Sequence, residues 1–138
     1  MTELQQKRQE RKKETAEDFT PDSLVNEMLG KLPQDVWDDP EKTFLDNSAG
    51  NGNFLVAVLE IKLAHGHDPL QALSTTYGVE LMEDNVVEMK ERLLELIPEN
   101  LHTKAIPIID HNIVCHDALT WDYDNWCSPN SDKADPLF

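Results

Sequence analysis

The sequence predicts an α/β fold built on a short parallel sheet, and three observations carry that reading. Three short apolar runs, "TFLD" at 43–46, "YGVEL" at 77–81 and "HNIVCHD" at 111–117, each carry an acidic residue at or next to their last position. Segments with helical spacing lie between them. Strands that alternate with helices argue for parallel pairing through right-handed crossovers. The first run also passes through a loop with two glycines straight into a helix, "FLDNSAGNGNFLVAVL" at 44–59. Glycine has no Cβ, so such a turn lets a ligand approach the main chain.

Each element has its own signal. Residues 1–17 are charged and polar, with little to bury, and read as helix or as disorder. In "FTPDSLVNEMLGKLP", Thr20 is an N-cap candidate and Pro21 suits the first helical position. Leu24, Val25, Met28 and Leu29 then form an apolar stripe, and Pro33 ends the helix. Residues 34–42 read as a loop, and "TFLD" as a short buried strand. From Asn53 to about Ala64 the chain is apolar almost all round, interrupted only by Glu60 and Lys62, which fits a helix buried against a sheet. Gly66 reads as its C-terminal stop, and Asp68-Pro69 as the next helix start. "YGVEL" is the second strand. "EDNVVEMKERLLELI" is a helix with Val86, Met89, Leu93, Leu96 and Ile97 on one face, and "HNIVCHD" is the third strand. From Ala118 onward the chain is polar, aromatic and proline-containing, with no convincing strand. No internal repeat is visible.

A length of 138 residues gives one domain of common size. The apolar fraction of 39% and charged fraction of 28% are ordinary for a globular protein. No apolar run approaches the ~20 residues that span a bilayer, and the first residues lack the apolar core of a secretory signal. Cys115 and Cys127 form neither a CxxC pair nor a disulfide framework, which suits a reducing cytoplasm.

Charge is unevenly placed. The first thirteen residues hold five basic and two acidic side chains, leaving seven basic and twenty-five acidic for the rest, a net of −18 within a total of −15. A nucleic-acid-binding domain is expected to show a basic face, because phosphate neutralisation supplies much of its affinity. Here the folded part shows the opposite. Solubility, a basic partner subunit, or an acidic surface that imitates DNA each account for it.

In parallel α/β sheets ligands bind beyond the carboxyl ends of the strands. Asp46, Glu80 and Asp117 all fall there. A dinucleotide loop would read GxGxxG, with pyrophosphate on the helix N-terminus. This loop has Gly50 and Gly52 but not the third glycine, and Asp46 suits a cation better than a phosphate. Glu80 suits two ribose hydroxyls, and Asp117 an exocyclic amine. Cation, ribose and adenine amine together describe S-adenosylmethionine.

Those residues carry a resemblance. "FTP" at 19–21, "FLDNSAGNGNFL" at 44–55, "YGVEL" at 77–81 and "DAL" at 117–119 resemble the class I methyltransferases that modify N6 of adenine in DNA, of the small phage-encoded type. The likeness covers about residues 17–122. The family loop usually reads DPACGSGNF; here Asn47, Ser48 and Ala49 depart from it, while the Asp, both Gly and the Asn-Phe pair are kept. The resemblance implies a Rossmann-like methyltransferase half-domain with strand order 3-2-1. It implies an S-adenosylmethionine site in which Phe19, Thr20 and Pro21 close over the methionine part and Asp46, Gly50 and Gly52 underlie methionine and sugar. Glu80 would hold the ribose, Leu81 would lie beside the adenine ring, and Asp117 and Ala118 would contact the adenine, with Leu119 packing nearby.

The family's catalytic (Asn/Asp)-Pro-Pro-aromatic tetrad has no clear counterpart. The nearest sequence is "DPLF", in which Asp135, Pro136 and Phe138 are weak catalytic candidates; it lacks the second proline and an apolar strand before it. No target-recognition region or basic groove for a flipped base is readable either.

Other groups have plainer readings beside their functional ones. His65, His67, His111, His116 and Cys115 match no zinc spacing, so no metal is expected. Trp121, Tyr123 and Trp126 either cap an exposed sheet edge or stack bases. The run Lys7 to Lys13 is a solvated helix or a contact to phosphate or partner.

The expectation is therefore a charged arm at 1–17, an S-adenosylmethionine-binding methyltransferase-like domain at 18–122 and a tail at 123–138. The function expected is adenine-N6 methylation of DNA, incomplete or partner-dependent for catalysis. The alternative is a non-catalytic cofactor-binding or acidic interaction or inhibitor protein derived from a methyltransferase. DNA would be reached through a partner subunit. The tail, a second copy or another protein would cover the open edge of the first strand. No membrane contact is expected, and the location is cytoplasmic, that of the host cell if phage-encoded.

Overall fold

The structure is a computed structural model, and it describes residues 22–128. The elements run α1 (Asp22–Gly30), α2 (Gln34–Asp38), β1 (Phe44–Asp46), α3 (Asn53–Ala64), α4 (Pro69–Ser74), β2 (Thr76–Glu80), α5 (Glu83–Glu95), a 3-10 turn (Glu99–Leu101), α6 (His102–Asn112) and β3 (Ile113–Cys115). The three strands pair in parallel in the order β1-β2-β3, with Asp46 beside Gly78 and Glu80 beside Cys115. The α/β class and the short parallel sheet flanked by helices are as expected, with β2 central.

Local chemistry sets several of these boundaries. Asp68 caps α4, its carboxylate accepting from the Gln71 amide at 3.1 Å, and Pro69 opens the helix. Leu55, Leu59, Met89, Leu93 and Ile113 are almost fully buried and join α3, α5 and β3 in the main core. A second cluster of Val25, Leu29, Trp37 and Val58 ties α1 and α2 to α3.

Four expectations are corrected. Residues 34–42 contain α2 rather than loop alone; five residues are too short for a periodic signal, and the helix is fixed by Trp37, which is buried and stacks on Phe44 at 5.0 Å. The second strand starts one residue earlier than expected, leaving Leu81 outside it. The third strand is only Ile113–Cys115, because His111 and Asn112 complete α6. That helix carries Pro107 in its interior; a proline there removes one helical hydrogen bond, and Pro107 faces outward. The helix is held instead by buried Ala105 and Ile109, and by Asn112, whose Nδ2 donates to the carbonyls of Leu73 and Ser74.

The fourth correction concerns the tail. The helices form one connected layer: α1 on α3, α3 on α4 and α5, and α6 on α4 and α5. A Cβ at Gly78 would meet Leu55 of α3, so Gly78 faces that layer. Side chains alternate along a strand, and the register puts Leu45, Tyr77, Val79 and Val114 on the opposite face. The tail through Ser128 folds back there. Trp126 meets Tyr77 edge-on at 4.9 Å, its indole N–H donates to the His111 carbonyl at 2.7 Å, and Trp121 packs on it at 5.3 Å. The aromatic cluster thus covers a sheet face at β2, and among the described residues no strand pairs with the outer edge of β1.

The histidines have local partners. His67 donates to the Trp37 carbonyl, His65 lies 3.7 Å from Asp38, His111 bonds with Asn112, and His116 with Thr120. No helix among the described residues is long and apolar enough to cross a membrane.

Candidate functional site

β1 ends on Asp46, whose carboxylate accepts from the Ser48 amide at 3.0 Å and starts the turn. Ala49 donates to the Val79 carbonyl, so the loop lies against β2. Gly50 follows at φ 56°, and its amide donates to Oε1 of Glu80 at 3.0 Å. Gly52, at φ 93°, begins α3. A Cβ on Gly52 would lie 2.7 Å from Cγ of Met89, so both the dihedral and the contact with α5 require glycine.

The loop is fastened on its other side by Arg92 of α5. Its Nη1 donates to the Asn51 carbonyl at 2.9 Å and to Oδ1 of Asn53 at 2.8 Å. Glu80 and Arg92 therefore hold the loop from two directions, and both belong to the β2–α5 segment.

Glu80 is the hub. Beyond the Gly50 bond, its Oε2 accepts from the Met82 amide at 2.9 Å and from Nδ2 of buried Asn85 at 3.2 Å. An ionised carboxylate has about four acceptor positions. Three are taken, which leaves one, on Oε1. The sequence-based expectation of two ribose hydroxyls on Glu80 thus requires one of these protein bonds to be given up.

Asp46 is pushed above the ordinary carboxylate range. Burial is the main cause; the Ser48 amide opposes it, and the charge of Glu80 adds to it. Two carboxylates at adjacent strand ends therefore repel each other in a partly desolvated place, an arrangement that favours a cation.

Asp117 stands apart from this pair. It follows β3, is exposed, and accepts from the Leu119 amide at 2.9 Å. The His116 amide bonds the Glu80 carbonyl at 3.1 Å, which keeps the segment against the end of β2. Ala118 accepts from the Tyr123 hydroxyl at 2.8 Å. Leu81 is 59% exposed and Leu119 is 93% exposed, so two apolar side chains stand open beside the acids. Phe19, Thr20 and Pro21, and Asp135, Pro136 and Phe138, lie outside the described residues.

Three residues that sequence reasoning did not single out for a role matter here. Asn85 is fully buried and Arg92 half-buried beside the apolar face of α5, and neither carries a sequence signal, because their partners lie on other segments. Lys62 did carry one, as a charge within an otherwise apolar helix. It is 1% exposed, and its ammonium donates to Oγ1 of Thr75 at 2.6 Å, Oγ1 of Thr76 at 3.0 Å and the Ala72 carbonyl at 3.4 Å. It also lies 5.0 Å from the centre of the Phe44 ring. This cluster is at the start of β2, the end opposite to Glu80.

Comparison with protein-family models, with curated proteins and with solved structures finds no match.

Proposed function

We propose that the chain binds S-adenosylmethionine at the carboxyl ends of its strands and is a methyltransferase of the DNA adenine-N6 type that depends on a partner for transfer. The observation that carries this reading is the glycine loop held between two strand-end carboxylates, with the Gly50 amide on Glu80 and Asp46 desolvated beside it. The donor set fits the cofactor's chemistry: Asp46 for positive charge, the remaining Oε1 position of Glu80 for a ribose hydroxyl, exposed Leu81 for the adenine ring and Asp117 for its amine. The cofactor, when bound, supplies an electrophilic methyl group. The chain's own residues orient it through the loop and the three acids.

Positioning a target amine is worth roughly 7–11 kcal/mol of barrier, and no residue among those described is assigned that task. The purified chain should therefore bind S-adenosylmethionine and methylate DNA very slowly without a partner. Calorimetric titration followed by a methyl-transfer assay on adenine-containing DNA tests both halves. Fast turnover by the chain alone would overturn the partner dependence.

The second reading, an acidic interaction or inhibitor protein, is favoured by the net charge of −15. A net charge of this sign disfavours direct DNA contact at low salt. Absence of cofactor binding in a folded sample would select it.

A further inference from the structure

We propose that the cleft between α1 and α3 is a second binding site, for a small molecule with an anionic head and an apolar body, with the head held by Arg92. The cleft has a volume of about 490 Å³, within the range of small-molecule sites. It contains none of Asp46, Glu80 and Asp117, and adjoins the strand-end site only through Arg92 and Asn53, which fasten the glycine loop, so it does not rest on the reading given above.

Its walls are ordered by the helix. Asn53, Val56, Ala57, Glu60, Ile61 and Ala64 form one face of α3, a stripe about 16 Å long at the ordinary rise per residue. Val25 and Asn26 of α1 stand opposite, and Arg92 closes the end beside Asn53. Val25, Val56, Ala57 and Ile61 make the middle apolar.

Arg92 gives the cleft its polarity. The chain holds 27 acidic and 12 basic residues, yet among the described residues this half-buried guanidinium pairs with no carboxylate. Both of its bonds to described residues leave from Nη1, so among those residues the Nε and Nη2 donors have no acceptor. A guanidinium presents its donors as a planar fork that matches carboxylate or phosphate oxygens. The same end of the cleft is the start of α3, where Gly52 supplies no side-chain cap, and the helix dipole adds to the attraction for an anion. Glu60 lies further along the stripe, about 10 Å from Asn53, and repels an anion there. Head position and direction are both fixed.

Carboxylates and phosphates share the head chemistry, and simple probes separate them. Hexanoate, hexyl phosphate and hexylamine are titrated into the labelled full-length chain and followed by NMR. Saturable shifts at Arg92 and Ala57 are expected with the anions and not with the amine, and the tighter anion identifies the head group. R92Q should weaken binding about tenfold or more, which is about 1.4 kcal/mol or more. N26W should weaken it similarly by filling the cleft, while leaving the bonds from Arg92 to the loop in place. Absence of saturable shifts, equal binding of hexylamine, or binding unchanged in both variants would overturn the proposal.

Discussion

The main-chain amide of Gly50 donates to Oε1 of Glu80 across 3.0 Å, which makes the loop after β1 and the carboxylate closing β2 a single unit. Glu80 also receives the Met82 amide and the Asn85 side chain. Its carboxylate thus organises the glycine loop and the entry to α5 before any ligand arrives.

Removing Glu80 should therefore act twice. Hydrogen bonds to charged groups contribute roughly 1.5–3 kcal/mol each, and a buried partner left unsatisfied adds a penalty. Glu80→Ala should lower stability by about 2–4 kcal/mol in urea denaturation and reduce S-adenosylmethionine affinity by about tenfold or more. Glu80→Gln separates the effects. It keeps one oxygen acceptor and removes the charge, so it should be the milder change in stability. Unchanged cofactor affinity in a folded Glu80→Gln protein would take Glu80 out of the proposed site.

Asp46 should behave in the opposite way. Burial and the charge of Glu80 raise its pKa, so the folded chain holds this proton more tightly than the unfolded chain does. Its contribution to stability is present below the ordinary value of 3.8 and is lost as pH rises through the raised folded value. At neutral pH the ionised form is a local strain that a cation relieves. Asp46→Asn keeps an oxygen for the Ser48 amide and removes the charge. It should raise the melting temperature and weaken S-adenosylmethionine binding. A lower melting temperature would show that burial and the charge of Glu80 do not disfavour the ionised form.

The loop itself is tested at Gly52. A side chain there must adopt φ 93° and sit 2.7 Å from Met89. Gly52→Ala should destabilise by about 2–3 kcal/mol, combining left-handed strain of roughly 1–2 kcal/mol with overpacking. Met89 is itself a buried core residue, and Met89→Ala alone should cost about 2–5 kcal/mol, so the packing part is the coupling energy of a double-mutant cycle. Urea midpoints of both single variants and the double give that coupling, and additive effects would mean that Met89 does not set the contact.

Much of this architecture is legible in the sequence because single local signals were strong. Gly52 and Gly66 bracket the apolar run of α3, Asp68-Pro69 announces α4, and the strand-end acids are visible as residue types. What was not legible depends on distant partners. The α2 turn exists because Trp37 stacks on Phe44, and α6 runs through Pro107 because Ala105, Ile109 and Asn112 are buried against other elements. Glu80 was readable as an acid at a strand end, but not its three existing donors. Arg92 was unreadable, since its acceptors lie about forty residues upstream.

Lys62 offers a pH test that is independent of any ligand. Its pKa is lowered from 10.5 to about 8 because burial disfavours the ammonium. The three oxygen acceptors satisfy its hydrogens, but none is a carboxylate. The unfolded chain therefore binds more protons than the folded one between pH 8 and 10.5, and stability rises with pH wherever that holds. The gain across that window is on the order of 3 kcal/mol at about 1.4 kcal/mol per unit. Thr75 and Thr76 also donate to the Gln71 and Ala72 carbonyls, so they keep partners if the ammonium is removed. Lys62→Met should then be folded, at least as stable as the parent at pH 7, and without this alkaline rise. Urea denaturation of both proteins from pH 7 to 10.5 reads the difference directly. Parallel curves would mean that Lys62 keeps its ordinary pKa despite its burial.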